Sequence, residues 1–163
     1  LGVKANKNIP RLIKALEGLD CTLVLLGSPD ASLVTLLEKS GIAFEVKSNL
    51  SNEEVVNEYY KSDIVSLVST YEGFGLPILE AQAAGRPVIT SNIASMPEVT
   101  GDGALLIDPF SVDSIRKGLL DIINNESLRN DLIKKGLENV RKYSKQSIAD
   151  EYLKLYAKFL VRK

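Results

Sequence analysis

Short apolar runs and amphipathic stretches alternate along the whole chain. Leu12, Ile13, Leu16 and Leu19 recur at the spacing of one helical face, just after Ile9-Pro10. Cys21 to Leu26 is a continuous apolar run closed by the turn signal Gly27-Ser28-Pro29-Asp30, which predicts a buried strand. A helix is expected over about 31–39 with Gly41 as its terminator, then a strand over 42–46. Ser51 and Glu54 stand at capping-box spacing and open a helix to about Tyr60. Residues 63–68, 87–90 and 103–107 read as three further strands. Helices follow from Ser111 to about Asn124, from Ser127 to about Lys142, and from Ser144 to the end. Leu1-Gly2-Val3 reads as the end of a strand already under way. This alternation predicts an α/β fold, a doubly wound and mostly parallel sheet in a single domain over residues 1–163.

Composition narrows the chemistry. The 163 residues contain no histidine, which removes the usual Ser-His-Asp and Cys-His nucleophile systems and the histidine-based zinc motifs. Twenty basic against 21 acidic residues give a net charge of −1, so no basic excess points to a nucleic-acid partner. The single cysteine, Cys21, allows no intrachain disulfide and fits a reducing, cytoplasmic compartment; its place in an apolar run reads as a buried small hydrophobe. No apolar stretch approaches the roughly 18 residues of a membrane span, and no signal peptide is visible. Residues 134–163 hold nine basic and three acidic residues, which reads as a solvated helical face or as a surface for a membrane or acidic substrate.

In an open α/β sheet, ligands bind beyond the carboxyl ends of the strands, so the turns after Val3, Leu26, Val46, Val68 and Thr90 are the places to look. There is no GxxxxGK[ST] or GxSxG motif, and Gly73-Phe74-Gly75-Leu76-Pro77-Ile78 lacks the third glycine of GxGxxG. The segment from Ser69 to Pro87 nevertheless has informative physics. Gly73 and Gly75 admit a ligand close to the backbone, and Pro77 suits the first turn of a helix beginning near Leu76 and running to Gly85. The helix start is an anion site, flanked by Glu72 before the loop and Glu80 one turn inside. Carboxylates repel phosphate but accept from hydroxyls beside it, as a sugar on one side and a ribose on the other would offer. The plainer alternative is that both glutamates only favour a helix N-terminus.

This segment resembles the signature of the retaining, nucleotide-sugar glycosyltransferases of GT-B fold, the large group 1 (family 4). Glu72-Gly73-Phe74-Gly75-Leu76-Pro77, then Glu80-Ala81, Ala83, Gly85 and Pro87-Val88-Ile89, match its pattern of two glutamates separated by seven residues. Lys7-Asn8 with Leu12 to Ala15, and Glu98-Val99 with Gly101 to Pro109, resemble further family segments. The resemblance implies a Rossmann-like C-terminal, donor-binding half of a two-domain enzyme, with the N-terminal acceptor-binding domain absent from this chain. It implies Glu72 beside the transferred sugar, Glu80 on the ribose hydroxyls, and the backbone of Gly73, Phe74, Gly75 and Leu76 near sugar and diphosphate. Lys7 would neutralise the leaving diphosphate at a site with no metal and no cofactor beyond the donor substrate; its alternative is a solvated lysine at a helix start. Ser69, which follows Val68 where the family commonly has proline, is also implied as a donor-binding residue, and Val3-Lys4 stands where the family often has arginine, making Lys4 the substitute diphosphate contact. Lys47 to Asn49 are candidates near the nucleobase. The implied partners are a nucleotide sugar and an acceptor saccharide or glycolipid, in the cytoplasm and at the inner face of a membrane. A noncatalytic nucleotide-sugar-binding module and an epimerase-like domain are the competing readings.

Overall fold

The computed structural model describes residues 3–160. A 3₁₀ turn at Ala5–Lys7 leads into α1 (Ile9–Leu16), β1 (Thr22–Leu26), α2 (Ala31–Ser40), β2 (Ala43–Lys47) and α3 (Asn52–Lys61). β3 (Val65–Leu67), α4 (Leu76–Ala83), β4 (Val88–Ser91), α5 (Met96–Thr100) and β5 (Leu105–Ile107) follow. α6 (Val112–Asn124), α7 (Glu126–Val140), a 3₁₀ turn at Arg141–Tyr143 and α8 (Lys145–Leu160) complete the described chain. Local chemistry sets many of the boundaries. The side chains of Asp30, Ser51, Ser111 and Asn125 each accept from a backbone N–H three residues on. Ser51 and Glu54 form the reciprocal capping box.

All strand pairing is parallel, in two ladders: β1 with β2, and β3-β4-β5 in that order. The expected doubly wound sheet is therefore present, divided into a two-stranded and a three-stranded part. The expected strand at residues 1–3 is not found at Val3, which lies outside any strand although its side chain packs against the core; Leu1 and Gly2 lie outside the described residues. α5 is an element the periodicity did not predict.

Alternation along β3 and β4 sends side chains to two cores, as period-two geometry requires. Val68, Ile89 and Ile107 join α1, α2 and α6 through Leu12, Ile13, Leu37, Ile115 and Ile122. Val65, Leu67 and Val88 join α3, α4 and α5 through Tyr59, Ile78, Leu79, Met96 and Val99. Each fully buried Ile or Leu stabilises the fold by roughly 1.5–3 kcal/mol. Cys21 sits just before β1, half-buried against the first core rather than within it, and burial followed by the nearby Asp20 raises its thiol above the ordinary value. α8 differs from every other long helix because it buries none of its residues. Ile148, Tyr152, Leu155, Tyr156 and Phe159 are exposed along it.

Candidate active site at the strand ends

The chain leaving β3 and β5 meets the turn at Ala5–Lys7 and the Asn8 that follows it. Asn8, in the left-handed region at φ 59°, is buried, and its amide donates to the carbonyls of Val68 (3.0 Å) and Pro109 (2.7 Å). The Thr70 N–H donates to the Asn6 carbonyl at 2.8 Å. These bonds tie the turn carrying Lys7 to the chain leaving β3, across 60 to 64 positions of sequence. Ser69 is fully buried, and its own carbonyl accepts from the Ser91 hydroxyl at 2.7 Å, fixing the loop to the end of β4.

Lys7 and Glu72 are brought together. Lys7 Nζ lies 2.8 Å from Glu72 Oε1, with the two side chains 15% and 13% exposed. The Ser69 hydroxyl donates to the same oxygen at 2.7 Å, and Asn6 Nδ2 approaches it at 3.5 Å while donating to the Tyr71 carbonyl at 2.9 Å. All the side-chain bonds described for Glu72 converge on Oε1, leaving Oε2 open to accept. Lys4 is exposed, one turn before Lys7, and takes part through its carbonyl, which accepts from the Lys7 N–H.

Gly75 initiates α4 at φ 101°, ψ 40°, a conformation that favours glycine, and no side chain caps the helix. Added there, a Cβ would lie 3.1 Å from Ile78 Cδ1, whereas one on Gly73 would meet open space. Phe74 and Leu76 are exposed, and the Phe74 ring stands edge-on to Tyr143 at 5.9 Å. Within α4, Ile78, Leu79, Ala81 and Gln82 are buried, so Glu80 is turned outward. Its Oε2 accepts from the Tyr59 hydroxyl at 2.6 Å. Oε1 has no partner among the described residues. Each glutamate is thus held through one oxygen and open at the other.

A family model described as Glycosyl transferases group 1 matches residues 3–139. The chain belongs to the group 1 glycosyltransferases. It is 32% identical over 146 residues to the MMP alpha-(1->4)-mannosyltransferase of Mycolicibacterium hassiacum, covering 86% of this chain and 36% of that one. Sucrose-phosphate synthase from Thermosynechococcus elongatus superposes with a TM-score of 0.84 at 22% identity, over 98% of this chain and 44% of that one. The C-terminal domain of a group 1 family protein from Francisella tularensis gives 0.73 at 26% identity, over 88% and 83%. The fold is that of the GT-B glycosyltransferases. The chain spans 23 to 44% of the length of the first curated relatives it matches.

Several features of this candidate site in the group 1 domain do not follow from the sequence pattern. Tyr59 reaches Glu80 from α3, and Asn6 and Asn8 place Lys7. The Ser95 hydroxyl lies 2.9 Å from the Glu72 carbonyl and 2.8 Å from that of Phe74, holding the glycine loop from the far side. The turn beyond β2 fares differently. Lys47 belongs to the strand and pairs with Glu58 at 2.7 Å and Glu45 at 3.2 Å, so it is already engaged. The hydrogen bond from Lys47 is the main cause holding Glu58 below the usual carboxylate range. Among the described residues, no group of three or more Cys, Asp or Glu side chains could hold a metal ion.

Proposed function

We propose that this chain binds the nucleotide-diphosphate-sugar donor of a retaining glycosyltransferase, which transfers the sugar to an acceptor hydroxyl. One observation carries the reading: two glutamates, each with one oxygen fixed by the protein and one open, flank a glycine loop and an uncapped helix start at the strand ends. Open carboxylate oxygens accept from hydroxyls, and the free N–H groups of a helix start attract phosphate. Glu72 would face hydroxyls of the transferred sugar, and Glu80 those of the ribose. The backbone of Gly73, Phe74, Gly75 and Leu76 would approach the diphosphate, with Ser69 holding Glu72 in place and Lys4 at the outer edge.

In the transfer, the bond from the anomeric carbon to the diphosphate oxygen breaks and a bond to the acceptor oxygen forms on the same face. The acceptor proton passes to the leaving diphosphate. Lys7 supplies a fixed positive charge where negative charge develops, a role that requires no reorganisation at the moment of reaction. Lys7 has three donors, so pairing with Glu72 leaves it able to bond an incoming oxygen. With that cation in the chain, transfer is expected to persist in excess EDTA.

The acceptor, a saccharide or glycolipid, is assigned to an N-terminal domain beyond this chain, and the reaction to the cytoplasm, at the inner face of a membrane. The basic balance of residues 134–163 supports an anionic surface as neighbour. No described helix is long and apolar enough to cross a membrane. Calorimetry with UDP-, GDP- and ADP-sugars tests the central claim. Saturable binding of one of them is expected, and absence of binding at millimolar donor in folded protein overturns it.

A further inference from the structure

Tyr59 stands on the last turn of α3, with its ring inside the second core at 4% exposure. Its neighbour Tyr60 is 55% exposed. The phenol oxygen is the polar end of an otherwise buried side chain, and it meets Glu80 Oε2 at 2.6 Å. Burial, and then the bond to Glu80, push the phenol well above its usual range, so it remains protonated and donates. Without that bond Glu80 would be a long, solvent-facing side chain with rotatable torsions to immobilise whenever a ligand binds. With it, the orientation is set by a rigid ring locked between α3 and α4.

We propose that Tyr59 is a positioning residue for donor binding: it anchors one oxygen of Glu80 so that the other reads a ribose hydroxyl of the nucleoside diphosphate. The proposal rests on the donor-binding reading above and adds how the site distinguishes ribose from deoxyribose. A phenol that only filled space in the core would serve equally well as phenylalanine. A phenol that orients Glu80 would not, because the lost hydrogen bond leaves the carboxylate free to turn toward water.

The test measures binding of UDP, GDP and ADP, each beside its 2′-deoxy and 3′-deoxy counterparts, to the full-length wild-type protein and to Tyr59→Phe. Wild type is expected to favour the ribonucleotide it recognises by about tenfold over the form lacking the hydroxyl that Glu80 reads. Tyr59→Phe should narrow this to about two- to threefold by weakening the ribonucleotide alone, and should add nothing in a Glu80→Gln background. Equal weakening of ribo and deoxy forms, the mark of a loosened core, overturns the proposal, as does an unchanged preference. If wild type binds none of the nucleotides, or its preference survives Glu80→Gln, the donor-binding reading of Glu80 has failed and this inference falls with it. An intact wild-type preference that Tyr59→Phe leaves untouched removes the inference alone.

Discussion

Glu72 and Glu80 lie eight positions apart on one loop and helix, yet their surroundings have little in common. Glu72 is mostly buried, charge-neutralised by Lys7, and held by Ser69 on the same oxygen. Glu80 is exposed and is met by one neutral phenol. A carboxylate withdrawn from water beside an ammonium belongs to a site where charge balance matters. A carboxylate at the rim, aimed by a hydroxyl, suits recognition of neutral hydroxyl groups, where orientation counts for more than field. Under the proposed donor-binding reading, this difference gives the two glutamates separable tasks, reaction and affinity, which mutation can separate.

The largest expected effect comes from Glu72→Ala in the full-length protein. It strands Lys7 without its partner and, on the proposed reading, deletes the acceptor nearest the reacting centre. Transfer activity should fall by about 10²–10³-fold, with a smaller change in nucleotide affinity, measured by product formation and calorimetry. Retained transfer would move Glu72 out of the reaction. The next variant attacks what the two glutamates share. Gly75→Ala forces φ 101° on a residue with a Cβ and crowds Ile78, and should cost about 1–3 kcal/mol in chemical denaturation. Because that conformation sets the start of α4, donor affinity should drop as well. The smallest effect belongs to Glu80→Gln, which should weaken donor binding about tenfold while kcat changes less than threefold. Its stability should stay within about 0.5 kcal/mol of wild type, since the side chain is exposed. Similar losses of kcat in Glu72→Ala and Glu80→Gln would erase the distinction between them.

Much of this arrangement was legible in the residues, and what was missed has physical causes. The capping box at Ser51 and Glu54, the terminator Gly41 (φ 72°) and the start of α4 at Leu76 all depend on local chemistry, and all appear where expected. α5 escaped because five residues containing Pro97 offer too little length for periodicity to register. The strand expected at residues 1–3 has no counterpart at Val3. The site was legible as a set of residues on one segment, and the resemblance added Lys7. The Lys7–Glu72 pair, the Asn8 tether and the Tyr59 anchor join residues 65, 60 and 21 positions apart, and no spacing rule encodes such contacts. Lys47 shows the converse, because a lysine free to recruit a ligand in the sequence is occupied by Glu58 and Glu45 in the fold.

α8 carries a different consequence. A helix of 16 residues that buries none of its side chains draws little stability from the body it follows, and one of this length is marginal in water by itself. Its amide protons should therefore trade with solvent early, whereas those of β4, whose four residues are all buried, should wait for global opening. Deuterium uptake along this chain should change abruptly near Ser144, dividing a slowly exchanging α/β body from a helix whose persistence depends on what lies against it.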